Sequence, residues 1–305
     1  MPSKSDIKSV LSGLTQKKDT YVRYETDEVI TWCSGCGNYN IQNALKRALT
    51  LEGFKPEDVL MSFDIGCNGN GSDKIGMNTF HGLHGRSLPL AAGCAMGNTN
   101  LKVIACAGDG GTMSEGINHL VHAVRSEYPI LFILHNNHNY GLTTGQASAC
   151  TPKGFPMNGS PDGQLLEPMN PSEFVLNLNP SFVARSFSGD VKHMTKMLQK
   201  ALNHKGFAFV EILQVCPTYN KATPQSWYWE RIKYLEDVDG WKANSIEKAK
   251  QYIQDFEKNV YLGLFYENKN AIDYVHKLPY LADYKGNPAE EVAHFDIKPF
   301  LKDFE

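Results

Sequence analysis

At 305 residues the chain is long enough for one large α/β domain or two smaller ones, and 42% hydrophobic with 21% charged residues is ordinary for a globular protein. A formal net charge of −3 argues against a polyanion or an anionic membrane surface as partner, so neither nucleic acid nor membrane is expected. No apolar run approaches the ~20 residues needed to span a bilayer, and the first 25 residues carry no export-type apolar stretch, so the cytoplasm is the expected location.

Residues 1–27 read as a polar leader draped over a surface or a partner. From Asn38 to Leu51, apolar Ile41, Leu45, Ala48 and Leu49 recur at helical spacing, with Asn38 or Asn40 as a candidate N-cap. Four continuous apolar runs follow, at 59–63, 103–107, 130–134 and 207–213. Unbroken hydrophobicity is what a parallel sheet covered on both faces requires. Helical stretches lie between them, at Met113–Ser126 and Val191–Asn203, so a doubly wound, mostly parallel α/β sheet is predicted. The Gly-, Pro-, Ser- and Asn-rich piece from Gly145 to Pro180 reads as a long functional loop over the carboxyl edge of that sheet. Beyond Thr223 the chain changes character: Trp227, Tyr228, Trp229, Tyr234 and Trp241 cluster, a charged helix is expected over Ser245–Asn259, and an irregular tail follows. This 223–305 extension reads as an appendage that contacts a partner.

Seven cysteines without an export signal favour metal or redox chemistry over a disulfide framework. Cys33, Cys36, Cys67 and Cys216 sit beside glycine or proline at turns, and would form one metal or cluster pocket if the fold gathers them. On spacing alone, a zinc knuckle or a thioredoxin-like pair at Cys33 and Cys36 remains open. Cys106 lies inside an apolar run and reads as buried packing; Cys94 and Cys150 have no motif around them.

The run at 103–107 leads directly into Gly108-Asp109-Gly110-Gly111-Thr112 and then a helix. Glycines here let backbone amides approach a phosphate, while a carboxylate facing a diphosphate requires a divalent cation between them. The next strand ends in His135-Asn136-Asn137-His138-Asn139-Tyr140-Gly141 at the same sheet edge. Asp109, the Asn137 side chain and the backbone carbonyl near Asn139 are hard oxygen ligands suited to Mg2+.

Asp109 and Asn137, 28 residues apart, resemble the thiamine-diphosphate motif. W-C-x-G-C-G at 32–37, I-G-C at 65–67, H-G-R at 84–86, the run from Asn137 to Ser148 and C-P-T-Y-N at 216–220 resemble the β subunit of 2-oxoacid:ferredoxin oxidoreductases. The resemblance implies that residues 28–222 bind thiamine diphosphate, Mg2+ and one [4Fe–4S] cluster. Cys33, Cys36, Cys67 and Cys216 would ligate the cluster, and Asp109, Asn137 and Asn139 the magnesium. Ile65, Gly66, Cys67, Asn68, His84, Gly108, Gly110, Gly111, Gly141 and Leu142 would contact thiamine diphosphate, with His84 also a catalytic candidate.

The implied reaction is oxidative decarboxylation of a 2-oxoacid with coenzyme A, electrons passing through the cluster to ferredoxin, reversible in principle. The expected substrate is 2-oxoglutarate, with pyruvate as the alternative. No glutamate is positioned to activate the thiamine ring, since Glu115 follows the diphosphate turn. That group is expected on an α chain, in an α–β heteromer built as a dimer of heterodimers. A non-redox thiamine-dependent decarboxylase with structural zinc, and a non-catalytic electron-transfer subunit, are the readings from other classes.

Gly111, Asn139 and the Ala149-Cys150 pair depart from the family pattern, which has an acid, an aliphatic residue and Pro-Thr there. His119 and His122, three apart on a helix, read as packing or hydrogen-bonding groups, and His135 and His138 are not expected to bind zinc. Arg86 suits either a substrate carboxylate or a structural acid.

Overall fold

A computed structural model describes residues 22–254, 256, 258–279, 281–293 and 296–302. Most of the polar leader, 1–21, lies outside the described residues. At its end Tyr24 is buried, and its hydroxyl donates to the Phe54 carbonyl at 2.9 Å.

Each continuous apolar run forms a strand. In chain order the strands are β1 (Val59–Phe63), β2 (Asn78–His81), β3 (Lys102–Gly108), β4 (Ile130–Asn136), β5 (Phe182–Phe187), β6 (Ala208–Leu213), β7 (Ile232–Tyr234) and β8 (Val260–Glu267). They make one sheet in the order β2-β1-β3-β4-β6-β5-β8-β7. Every pairing is parallel except β5 with β8. The helices that cover it are α1 (Gly37–Leu51), α2 (Ser87–Gly97), α3 (Ile117–Ser126), α4 (Pro171–Leu176), α5 (Val191–Leu202), α6 (Gln225–Trp229) and α7 (Ile246–Ile253).

Both faces are buried, as the unbroken runs require. Leu45 and Leu49 of α1 and Met197 and Leu198 of α5 pack with Ile104, Ile133 and Ile212. On the other face Leu88 of α2, Leu120 of α3, Val175 of α4 and Ile253 of α7 pack with Val103, Phe132 and Phe209. Each fully buried Leu or Ile contributes ~1.5–3 kcal/mol of transfer free energy, so the two layers together hold the sheet.

From β1 the chain steps outward to β2, then returns to β3 on the other side of β1 and continues to β4. The turns after β1 and β3 therefore diverge and open a crevice at the carboxyl ends of the strands, the position where open α/β sheets bind ligands.

Two local expectations are corrected, and one strand is unforeseen. The helix expected from Met113 begins as a wide π-type turn over Gly111–Glu115, and regular α-helix starts only at Ile117. The break falls at Gly116, whose backbone is pressed against Gly85 with no room for a side chain. The tail expected to be irregular after 259 contains β8, a largely buried strand paired with β5. β5 itself escapes a pattern search because Arg185 interrupts its apolar run; it is tolerated there because Glu211 on β6 receives it.

Candidate cofactor and cluster site

Three strand-end turns meet in the crevice. Ile65, Gly66, Cys67 and Asn68 follow β1, Gly108, Asp109, Gly110 and Gly111 follow β3, and Asn137, Asn139, Gly141 and Leu142 follow β4; with His84 they line one pocket. All the residues expected to contact thiamine diphosphate are thus gathered in one place. The glycines at 110 and 111 are demanded by their neighbours as much as by a ligand. A Cβ on Gly110 would lie 2.3 Å from the Tyr140 ring, and one on Gly111 would lie 1.8 Å from Asp64 Oδ2.

Asp109 is buried, and burial pushes its carboxyl up to about 7 even though Ser148 Oγ and the Asn137 amide donate to it. Its Oδ1 is buried with no hydrogen-bond partner. A carboxylate left in that state is stabilised by a cation, so the residue fits Mg2+. Asn137 Oδ1 accepts from the Asn139 amide at 3.1 Å, which holds the two neighbouring oxygen donors in one turn. Among the described residues no three His, Cys, Asp or Glu side chains gather as ligands of a single ion. A magnesium site here therefore rests on one carboxylate with amide and carbonyl oxygens.

The four turn cysteines converge behind the same pocket. The Cys36 amide donates to the Cys33 carbonyl, and the Gly37 amide to Val215, joining the Cys33–Cys36 turn to the segment that carries Cys216. Trp32 Nε1 and Asn38 Nδ2 both donate to the Cys67 carbonyl, at 2.7 and 3.1 Å, which ties the third segment to the first. Burial pushes the Cys67 thiol up to about 12, and the thiols of Cys36, Cys216 and Cys33 push it further. Cys36 is raised in the same way by burial and by Cys216 and Cys33. The penalty that burial and neighbouring negative charge place on the Cys67 and Cys36 thiolates is offset when they bind positive iron.

Two matches cover most of the chain. Residues 64–212 match the thiamine pyrophosphate enzyme, C-terminal TPP-binding domain, and residues 216–283 match the C-terminal family of the pyruvate ferredoxin oxidoreductase beta subunit. The chain is 33% identical over 281 residues to the 2-oxoacid:ferredoxin oxidoreductase subunit beta of Saccharolobus solfataricus, covering 88% of this chain and 92% of that one. It belongs to the β-subunit family of 2-oxoacid:ferredoxin oxidoreductases. Similarity extends to the 2-oxoglutarate oxidoreductase subunit KorB of Mycobacterium tuberculosis, 36% identical over 200 residues, covering 66% of this chain and 54% of that one. It extends also to the 2-oxoglutarate:ferredoxin oxidoreductase of Magnetococcus marinus, solved with 2-oxoglutarate, coenzyme A and succinyl-CoA bound. That structure superposes with a TM-score of 0.82 at 26% identity, over 92% of this chain and 96% of that one.

As a β subunit in this family, the chain is one part of an oxidoreductase that acts with ferredoxin and has an α partner. The remaining candidate residues sort by what they touch. Arg86, exposed, donates from Nη1 to the Glu115 and Gly85 carbonyls at 2.9 and 3.2 Å. His84 is exposed at the rim of the pocket. His119 is half-buried and His122 exposed on α3, with no ligand set around them among the described residues. His135 is fully buried between Cys106 Sγ at 3.2 Å and Asn38 Oδ1 at 2.9 Å, and burial lowers it to about 4. Cys106 is buried packing as expected, with this hydrogen bond in addition. Much of the aromatic cluster packs against the core: Tyr228 is buried, tilted against Phe187 and edge-on to Trp227, while Trp229 stays 45% exposed.

Sequence reasoning misses Asp64, Asn38 and Gln214. Asp64 accepts the Gly85 amide at 2.7 Å and braces the loop that carries His84. Its only sequence signal is that it precedes the I-G-C turn. Asn38 suits a helix cap by its place in the sequence, yet its side chain reaches Cys67, and no spacing reveals that.

Proposed function

We propose that this β chain binds thiamine diphosphate, Mg2+ and one [4Fe–4S] cluster, and that with its α partner it oxidatively decarboxylates 2-oxoglutarate to succinyl-CoA, with ferredoxin as electron acceptor. One observation carries the reading. The Cys67 turn is shared: Gly66 and Asn68 face the pocket beside Asp109, while Cys67 itself stands with the other three thiols.

In this arrangement Asp109 Oδ1, Asn137 and the Asn139 carbonyl hold the magnesium, and the turns after β1 and β3 offer backbone amides to the diphosphate. Thiamine diphosphate, when bound, supplies the carbanion chemistry. The chain's own residues bind and orient it, keep water from the diphosphate side, and hold the four thiols within one turn of the cofactor. Asn38 and Trp32 fix the Cys67 peptide between the two sites. His84, at the rim, is positioned for the substrate or for the α chain. The activating glutamate belongs to that α chain, in a dimer of heterodimers, and the 223–305 extension contacts it.

The preference for 2-oxoglutarate over pyruvate is supported by the relatives whose names specify a substrate: the M. tuberculosis and Methanothermobacter thermautotrophicus proteins are both named for 2-oxoglutarate. The test is an anaerobic assay of the α–β complex with each 2-oxoacid, coenzyme A and a viologen acceptor. The expected result is a kcat/KM for 2-oxoglutarate at least about tenfold above that for pyruvate, ~1.4 kcal/mol, and no turnover by the β chain alone. Equal or reversed preference overturns the substrate assignment, and turnover by the β chain alone overturns the division of the site.

A further inference from the structure

Two buried carboxamides touch the cysteine group with opposite polarity. Asn139 Oδ1 lies 3.9 Å from Cys216 Sγ. The same oxygen and Cys67 Sγ crowd one point on the pocket wall: a Cβ built on Gly141 would meet them at 3.3 and 3.2 Å. The oxygen end of this amide therefore faces the Cys216 thiol, and it lies near Cys67 on the same pocket wall. The amide is not free to turn, because its Nδ2 donates to the Asn137 carbonyl at 2.8 Å and reversal would set carbonyl against carbonyl. At Cys36, Gln214 presents the other end. Its Nε2 donates to Cys36 Sγ at 3.5 Å, and the side chain is 1% exposed.

We propose that Asn139 and Gln214 are opposed dipoles that set the reduction potential of the cluster held by these cysteines, Asn139 lowering it and Gln214 raising it. The inference rests on the cluster reading above. Reduction adds one electron to the cluster and so one negative charge to the cluster–thiolate unit, with no bond made or broken. An amide oxygen close to the sulfurs destabilises the added charge, and an N–H donor stabilises it. Burial in a region of low dielectric enlarges both effects. A cluster with a lower potential passes its electron more readily to a low-potential acceptor. Asn139 also offers its backbone carbonyl to the magnesium site, and a side-chain substitution leaves that carbonyl in place.

The test is redox titration of the cluster, followed by electron paramagnetic resonance, in the anaerobically purified α–β complex. Asn139→Leu, close in shape, is expected to shift the midpoint potential upward. Gln214→Met is expected to shift it downward, and the double variant to return near the parent value. Asn139→Val serves as a second variant where Asn139→Leu does not fold, and it must also shift upward. A purely structural disturbance has no reason to give opposite signs, so shifts in the same direction, or none in a complex that retains its iron, overturn the proposal. A parent complex with no iron or acid-labile sulfide overturns the cluster reading itself, and this proposal with it.

Discussion

Asp109 and Glu211 are both buried carboxylates at the carboxyl edge of the sheet, and neighbouring asparagines on the β4 turn touch them, yet the chain treats them oppositely. Glu211 has its partners inside the fold. Arg185 Nε donates to it at 2.8 Å, Asn136 Nδ2 donates at 2.7 Å, and Ser172 Oγ donates as well. Burial alone would raise its carboxyl, but the Arg185 charge and these donors outweigh burial and hold it below the ordinary range. Asp109 has Ser148 and one amide, keeps an oxygen without a partner, and is raised to about 7. Glu211, with its partners complete, is structural; Asp109, left incomplete beside the diphosphate turn, is open to a cation. The boundary between the two roles runs between residues 136 and 137.

That comparison can be broken by experiment. Glu211→Gln leaves Arg185 buried without its counter-charge, and urea unfolding should show a loss of ~3–5 kcal/mol. A loss under ~1 kcal/mol would mean that the pair does not brace the β4 turn. Asp109→Asn should do the converse. The unfolding free energy of the cofactor-free chain should stay within ~1 kcal/mol of the parent, because the substitution removes a buried charge without changing volume. Binding of thiamine diphosphate with Mg2+ to the α–β complex, followed by calorimetry, should weaken at least about 100-fold, ~2.7 kcal/mol. Retained binding would remove Asp109 from the magnesium site.

The same contrast sharpens among the thiols. Cys106, already hydrogen-bonded to His135 and Asn68, should tolerate Cys106→Ala at a cost of ~1 kcal/mol in unfolding free energy, with iron content unchanged. Cys216→Ser should lose most of the iron while the far-ultraviolet circular dichroism spectrum is kept. Iron loss from the Cys106 variant, or iron retention in the Cys216 variant, would reverse the assignment of the two cysteines.

The elements legible in the sequence are those whose burial is uniform. β1, β3, β4 and β6 are central strands covered on both faces, so their runs are unbroken. β2 is an exposed edge strand of four residues and β7 is only three residues long, so neither leaves a pattern. β5 and β8 are hidden by Arg185 and by the polar context of the extension. At the site, Asp109, Asn137 and the cysteines stand in short motifs whose residue types are dictated by metal and phosphate chemistry. Gln214 and Asn38 work through contacts with residues far away in the chain, such as Gln214 with Cys36, 178 positions off. Only folding creates such pairs. Arg86 shows another limit: its motif suggests an anion, and nothing in the sequence shows that its Nη1 donates to the Glu115 carbonyl.

The central claim is that the four thiols hold a cluster beside a magnesium–diphosphate pocket within this one chain. Iron, acid-labile sulfide and zinc analysis of the anaerobically purified α–β complex tests it most directly, read against the Cys216→Ser variant. The account predicts about four irons and four sulfides attributable to this chain, no zinc, and loss of that iron in the variant. About one zinc per chain with no sulfide, or iron unaffected by Cys216→Ser, would contradict it.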